Sequence, residues 1–195
     1  MTAAAILAGG RATRLDGALK PLLLVDGQRI IDRQLAVLRP LFDEIILVTN
    51  DPAPFAAIDV PLLPDRQPGK GPLAGIDAAL AHFAARDSAA PVVCLAGDMP
   101  FLSAPLLQHL RDAPQALALV PRLATRPDPL CARYDQLFAA HAAHALAENR
   151  LALHALLAQL PVEYLDEPIL RRLDPDLRSF ININTPEDLR TANQP

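Results

Sequence analysis

The 195-residue chain has no tryptophan, and Phe, Tyr and Trp together make up only 4% of it. Single-stranded nucleic acid is usually bound on aromatic side chains that stack with the bases, so such surfaces are scarce here. The chain also has no excess of positive charge, since its formal net charge is -4. Proteins that neutralise many phosphates usually carry a basic face. We therefore expect no nucleic-acid partner, and any anion site should be local.

Cysteine and long apolar runs are scarce as well. Cys94 and Cys131 lie far apart and form no CxxC pattern, which fits a reducing cytoplasm better than a disulfide framework. No stretch approaches the roughly 18 continuous apolar residues that span a bilayer, and the apolar residues 1–8 lack the basic start of a signal peptide. We expect a cytoplasmic protein with no membrane partner.

Short apolar runs alternate with longer segments of helical periodicity, the pattern of an α/β protein with a mostly parallel sheet. The apolar runs predict strands at residues 3–8, 44–49, 60–63, 92–96, 117–120, 130–133, 162–165 and 180–183. The helical patterns predict helices at residues 29–38, 73–85, 104–111, 136–148, 152–159 and 186–192. We expect one domain over residues 1–195, with helices on both faces of the sheet and residues 121–128 as its most mobile loop.

A glycine pair, Gly9-Gly10, directly follows the first predicted strand. Glycine permits positive φ angles and lets backbone N–H groups approach an anion. Arg14 and Lys20 follow with positive charges that suit a triphosphate. The spacing matches neither the Walker pattern nor the dinucleotide G-x-G-x-x-G. A tight strand-to-helix turn with ordinary surface cations is the alternative interpretation.

Asp98 stands just beyond the carboxyl end of the strand predicted at residues 92–96. In open parallel sheets, ligands bind at that edge. A lone carboxylate there could hold a Mg²⁺ that bridges triphosphate oxygens, because this ion is usually bound by one or two carboxylates together with substrate phosphates. The alternative is an aspartate that caps a turn before Pro100.

Two further segments contain residue types suited to ligand contact. The glycines of residues 69–75, Gly-Lys-Gly-Pro-Leu-Ala-Gly, could present backbone groups to a substrate or could form a purely structural turn. Asn182 and Asn184 are two residues apart, which places both amides on one face of the strand predicted at residues 180–183 and just beyond. Both amides could hydrogen-bond a polar ligand or the neighbouring backbone.

The motifs follow one another over nearly the whole chain. They are Leu7-Ala8-Gly9-Gly10 with Arg14 and Lys20, Asn50, Asp65, Gly71-Pro72-Leu73-Ala74-Gly75-Ile76, Gly97-Asp98-Met99-Pro100 and Asn182-Ile183-Asn184-Thr185-Pro186-Glu187-Asp188-Leu189. Together they closely resemble the molybdenum cofactor guanylyltransferases. The resemblance implies a Rossmann-like nucleotidyltransferase fold of three α/β/α layers. It also implies transfer of GMP from GTP to the terminal phosphate of molybdopterin, forming molybdopterin guanine dinucleotide and pyrophosphate.

The resemblance implies roles for individual residues as well. Leu7, Ala8, Gly9, Lys20, Asn50, Asp65 and Asp98 would contact GTP. Arg14, Lys20 and Asp98 would be catalytic, with Asp98 as the ligand of a Mg²⁺ cofactor, and Gly71, Gly75, Asn182 and Asn184 would lie toward molybdopterin. The N-terminal half would bind GTP and the C-terminal half molybdopterin. We expect a monomer whose other partners are proteins that deliver the product to molybdoenzymes.

One stretch departs from the family pattern Arg-Met-Gly-Gly-x-Asp-Lys, since residues 14–20 read Arg-Leu-Asp-Gly-Ala-Leu-Lys. The acid before the lysine is missing, and Asp16 adds a negative charge where glycine is usual. Asp16 could shift the loop or weaken triphosphate affinity, but Arg14 and Lys20 are retained.

Several alternatives stay open at this stage. The same fold could use CTP, or a sugar or polyol phosphate as the acceptor, and Asp65 could contact either the base or the ribose. A non-catalytic nucleotide- or cofactor-binding carrier is a further alternative, supported only by Asp16 and Leu19. Leu-Ala-Gly-Gly at the first loop, the central Gly-Pro-Leu-Ala-Gly and the late Asn-x-Asn-Thr-Pro favour the guanylyl enzyme over its cytidylyl relative.

Overall fold

The structure, a computed structural model, describes residues 1–9, 14–15, 18–86 and 90–194, and for residues 14 and 15 the backbone alone. The predictions made for Gly10, for Asp16 and for the side chain of Arg14 therefore lie outside the described residues. Within the described part of the chain, no helix is both long and apolar enough to cross a membrane.

Strands and helices alternate along the chain much as the apolar pattern predicts. The strands are β1 (Ala3–Leu7), β2 (Arg14–Leu15), β3 (Ala18–Leu19), β4 (Leu24–Val25), β5 (Gln28–Arg29), β6 (Glu44–Val48), β7 (Leu62–Leu63), β8 (Val92–Ala96), β9 (Ala118–Leu123), β10 (Arg126–Pro127), β11 (Cys131–Tyr134) and β12 (Glu163–Asp166). The helices are α1 (Ile30–Leu38), α2 (Pro72–Ala84), α3 (Ala104–Asp112), α4 (Phe138–Ala147), α5 (Leu153–Leu157), α6 (Glu167–Leu173) and α7 (Pro186–Ala192). All six predicted helices are confirmed, with their ends shifted by small amounts.

One mixed sheet of eight strands organises the described residues, in the order β10-β9-β11-β8-β1-β6-β7 with β12 paired to β9. The central strand β1 pairs in parallel with β6 and β8, and the β6–β7 and β9–β12 pairs are also parallel. Strand β11 is antiparallel to both β8 and β9. The mostly parallel sheet is confirmed, and the carboxyl ends of β1, β6 and β8 meet at one edge.

Helices cover both faces of the sheet, which confirms the three-layer arrangement. Side chains of β1 alternate between the faces, so Leu7 packs into one buried cluster with side chains of α2 and α4, while Ile6 packs into another with side chains of α1 and α3. Cys94 and Cys131 are both buried and unpaired, one in each cluster. Both cysteines are therefore core residues.

The strand predicted at residues 180–183 is wrong. Its alternation of apolar residues and asparagines resembles a strand, but Leu177 has a left-handed φ of 52° and a 3-10 turn, Arg178–Phe180, follows it. Local bonds from Phe180 N to Leu177 O and from Ile181 N to Arg178 O close the turn. Asn182 and Asn184 therefore do not share a strand face.

The region beyond β8 differs from the prediction in two more places. The sequence predicts a loop over residues 121–128, but most of these residues form the hairpin of β9 and β10. Asp128 N donates to Pro121 O at 2.8 Å at the open end of this hairpin. The apolar pattern does not predict helix α6, although Asp166 precedes it and Pro168 stands in its first turn, both favourable at a helix start.

Candidate active site

A buried lysine joins two predicted site residues at the carboxyl edge of the sheet. Lys20 Nζ donates to Asp98 Oδ2 at 3.1 Å and to Asn184 Oδ1 at 2.7 Å. The Lys20 residue is only 4% exposed, so its charge is neutralised inside the protein instead of by solvent. The structure therefore brings together three residues that lie far apart in the sequence.

The backbone around Asp98 is held from three directions. Gly97 N donates to Leu7 O at 3.1 Å, and Ile183 N donates to Asp98 O at 2.9 Å. From α1, the buried amide of Gln34 donates to Ala96 O at 2.8 Å and to Met99 O at 3.1 Å. These bonds fix the direction in which the Asp98 side chain leaves the sheet. The sequence did not predict a role for Gln34, because no neighbouring residue indicates that its side chain hydrogen-bonds the backbone at the end of β8.

Asn184 is positioned by the start of α7. Asn184 N and Thr185 N both donate to Asp188 Oδ2, at 2.9 and 2.8 Å, and Thr185 accepts a bond from Asp188 N. This capping box was partly visible in the sequence as Thr185-Pro186-Glu187-Asp188. The two backbone bonds also lower the pKa of the Asp188 carboxyl.

A second polar pair, Asn50 and Asp65, lies beside Gly9. Asn50 Nδ2 donates to Asp65 Oδ2 at 2.8 Å, and Asp65 N donates back to Asn50 Oδ1 at 2.9 Å. Burial raises the pKa of the Asp65 carboxyl, and the hydrogen bond from Asn50 opposes that shift. A Cβ added at Gly9 would lie 3.5 Å from Asp65 Oδ2, so this pair borders the first loop.

One of the central glycines, Gly75, lies close to Asp65. Gly71 has a φ of 70° and directly precedes α2, a backbone conformation that suits glycine. Pro72 is the first residue of α2, a position that suits proline. A Cβ at Gly75 would lie 3.2 Å from Leu7 Cδ2 and 3.6 Å from Asp65 Oδ1. Gly75 therefore lies beside Leu7 and Asp65, two of the residues predicted to contact GTP, and its own assignment toward molybdopterin stays a prediction.

Two adjoining cavities open at this edge of the sheet. The smaller, of about 150 Å³, is lined by Leu7, Gly9, Lys20, Pro21, Pro72, Ala96, Gly97, Asp98, Leu130 and Asn184. The larger, of about 650 Å³, is lined by Ala96, Asp98, Leu123, Arg126, Pro127, Asp128, Pro129, Leu130, His154, Phe180, Asn182, Asn184 and Asp188. Asp98 and Asn184 line both cavities, so groups bound on the two sides would meet at these residues.

The larger cavity contains polar residues that sequence reasoning missed, namely Asp128, Arg126, His154 and Asp188. The first two lie at the end of the β9–β10 hairpin, where the sequence predicts a loop. The polar sequence Arg126-Pro127-Asp128 between apolar stretches was the available signal, but it does not reveal which cavity the side chains face.

The residues present fit a Mg²⁺ that is shared with a phosphate. Asp98 faces both cavities, and one carboxylate with substrate oxygens is a usual Mg²⁺ environment. Among the described residues, no group of three or more His, Cys, Asp and Glu side chains could hold a metal by itself. A cation here would therefore need oxygens from the substrate.

A parallel α/β sheet with a charged, two-chambered cleft at its carboxyl edge is the architecture of a nucleotidyltransferase. Residues 4–163 match the family described as the MobA-like NTP transferase domain. The probable molybdenum cofactor guanylyltransferase of Peptoclostridium acidaminophilum is 33% identical over 98% of this chain and 88% of its own length. The chain belongs to the molybdenum cofactor guanylyltransferase family, which confirms the resemblance seen in its motifs.

Solved structures agree with that assignment. Molybdopterin-guanine dinucleotide biosynthesis protein A from Archaeoglobus fulgidus superposes with a TM-score of 0.83 at 31% identity, covering 97% of this chain and 96% of that one. The 2-C-methyl-D-erythritol 4-phosphate cytidylyltransferase from Thermus thermophilus has a TM-score of 0.64 at 19% identity, covering 98% and 97% of the two chains. The second likeness concerns the fold alone.

Proposed function

We propose that this protein transfers GMP from GTP to the terminal phosphate of molybdopterin and releases pyrophosphate. The observation that carries the proposal is the junction of two cavities at Asp98 and Asn184, with Lys20 bonded to both. Two substrates that react with each other must bind in adjoining cavities. The family membership and the guanylyltransferase named among its relatives support this choice of substrates.

The smaller cavity would hold the nucleotide. Leu7, Ala8 and Gly9 would contact GTP through the end of β1, and Lys20 would bind its phosphates. Asn50 and Asp65 would bind the nucleoside, since guanine and ribose both offer hydrogen-bond donors that a carboxylate can accept. The bond from Asn50 Nδ2 to Asp65 Oδ2, at 2.8 Å, would orient that carboxylate before the nucleotide arrives.

The larger cavity would hold molybdopterin, with Asn182 and Asn184 on its wall. The terminal phosphate of molybdopterin is already an anion, so its attack on the α-phosphorus of GTP needs no strong general base. The difficulty is to bring two polyanions together in line. Lys20, which lines the smaller cavity and is bonded to Asp98 and Asn184, would neutralise charge where the two substrates meet, and Arg14 would add a second positive charge from the first loop.

Mg²⁺ bound to Asp98 would supply additional positive charge against the triphosphate oxygens when GTP is present. Lys20 and Asp98 are already 3.1 Å apart, so the lysine keeps this carboxylate paired in the absence of a cation. We propose that Asp98 keeps its orientation through the backbone bonds at Gly97 and Ile183 and presents an oxygen toward both cavities.

The test is pyrophosphate release by the purified full chain with molybdopterin, Mg²⁺ and either GTP or CTP. We expect release with GTP and formation of molybdopterin guanine dinucleotide. A higher kcat/KM with CTP would overturn the choice of nucleotide. Release only after addition of a sugar or polyol phosphate would overturn the acceptor. GTP binding with no release at saturating Mg²⁺ would instead indicate a non-catalytic carrier.

A further inference from the structure

The larger cavity contains a carboxylate for which the proposed transfer chemistry has no use. Asp128 lies at the end of the β9–β10 hairpin and faces the same cavity as Asp98 and Asn182. Its Oδ1 accepts a bond from Leu130 N at 3.2 Å, and its backbone N–H is bonded to Pro121 O at 2.8 Å. The hairpin therefore holds the Asp128 side chain in a fixed direction.

Burial raises the pKa of the Asp128 carboxyl, and the nearby charge of Asp98 adds to this shift. The Leu130 N–H and the neighbouring Arg126 act in the opposite direction and favour the ionised form. A partly buried carboxylate has more acceptor positions than the single bond from Leu130 N fills, so it gains from a ligand that offers N–H donors.

Asn182 lines the same cavity. Asn182 Oδ1 is buried, and no hydrogen-bond partner for it occurs among the residues that the structure describes. Because this oxygen is buried, it does not itself face the cavity, although Asn182 contributes to the cavity lining. The acceptor that a ligand in this chamber would meet is therefore the Asp128 carboxylate, which suits a ligand edge that carries N–H groups.

We propose that Asp128 is a specificity residue that binds the 2-amino-4-oxopyrimidine edge of the pterin, a role that rests on the proposed function of the cavity. In a pterin this edge carries N3–H beside the 2-amino group, two adjacent donors that match the two oxygens of one carboxylate. The phosphate end of the ligand then points toward Lys20 and Asp98, where the two cavities join.

The experiment compares two probes that differ only at this edge. 6-Hydroxymethylpterin carries a 2-amino group, whereas 6-hydroxymethyllumazine carries an oxygen there. Fluorescence titration of the wild-type protein should show binding of the pterin at least about 10-fold tighter, since a hydrogen bond to a charged acceptor contributes roughly that factor or more. Equal affinity for the two probes would overturn the proposal.

The variant Asp128→Asn should reduce that preference to within about threefold, because the new amide can donate to the lumazine oxygen. Asp59→Asn is the matched control, since Asp59 is exposed and lies before β7, away from both cavities. Its preference should equal that of the wild type. A pterin preference that persists in Asp128→Asn would also overturn the proposal.

A steady-state assay separates this inference from the proposed function. In Asp128→Asn, the KM for molybdopterin should rise about 10-fold or more while the KM for GTP stays within twofold, which also shows that the variant is folded. If the wild type releases no pyrophosphate, the proposed function fails while the probe titrations still decide the role of Asp128. If the wild type is active but the molybdopterin KM of Asp128→Asn is unchanged, the role of Asp128 alone is refuted.

Discussion

The two cavities differ in how their polar side chains are satisfied. Around the smaller one, the polar groups are bonded to one another, as Lys20 is to Asp98 and Asn184. In the larger one, Asp128 is desolvated and Asn182 Oδ1 lacks a partner among the described residues. Under the proposed function, the smaller chamber is organised before its ligand binds, whereas the larger one gains hydrogen-bond partners from its ligand.

The largest expected effect comes from Asp98, one of the residues that line both cavities. Asp98→Asn should lower kcat/KM by about 10³-fold, because the amide cannot anchor a divalent cation against the triphosphate. Pyrophosphate release measured across a Mg²⁺ titration checks this, with Asp59→Asn as the control that should stay within twofold of wild type. Retention of more than a tenth of the activity would remove Asp98 from the proposed mechanism.

The two lysines at positions 20 and 70 give the next test, because both donate hydrogen bonds but only one faces the cavities. Lys20→Met should lower kcat/KM by about 10²-fold through the loss of a charge on the phosphates. Lys70 Nζ donates to Leu146 O at 2.7 Å, outside the lining of either cavity. Lys70→Met should therefore stay within threefold, and equal losses in both variants would contradict a specific role for Lys20.

Packing behind the smaller cavity leads to a stability prediction. A Cβ at Gly97 would lie 2.8 Å from Pro21 Cγ and 3.2 Å from Leu7 O, so Gly97→Ala should destabilise the protein by roughly 1–3 kcal/mol. For a chain of this size, that corresponds to a Tm lower by about 3 °C or more.

Gly9→Ala is the control for that measurement. Among the residues that the structure describes, the atom nearest to its added Cβ would be Asp65 Oδ2 at 3.5 Å, an ordinary van der Waals distance. We expect its Tm to stay within about 1 °C of wild type while its KM for GTP rises, since Gly9 lines the smaller cavity. A Gly97→Ala protein as stable as Gly9→Ala would show that Pro21 moves aside freely.

The smallest effect concerns pH and Asp65. Burial raises its folded-state pKa above the ordinary value of 3.8, so the folded chain binds more protons than the unfolded chain between those two pKa values. The free energy of unfolding therefore falls as the pH rises through this window. The Asp65→Asn variant has no carboxyl to titrate at this position. The difference between its free energy of unfolding and that of the wild type should therefore increase from pH 3 to pH 6.

Urea unfolding at each pH checks this sign. The control is Asp59→Asn, which makes the same change of carboxyl to amide at an exposed residue away from both cavities. A stability difference for Asp65→Asn that is constant or reversed would mean that the carboxyl is not desolvated in the folded protein.

Much of the site could be predicted because parallel strands end at one edge of a sheet. That rule placed Asp98 near the end of β1 from its position in the sequence alone, and the family motifs added Lys20 and Asn184. The strand expected at residues 180–183 was wrong because the left-handed Leu177, which redirects the chain, has no local sequence signal. Asp128 was missed because its burial depends on contacts with distant elements.

The bond between Lys20 and Asn184 spans 164 residues of sequence. During synthesis at about 5–20 residues per second, Lys20 is added to the chain roughly 8–33 s before its amide partner. The strands β1, β6 and β8 can pair in that interval, but the wall shared by the two cavities cannot close. A growing chain would therefore remain unable to bring a nucleotide and an acceptor together until almost all of these residues have been translated.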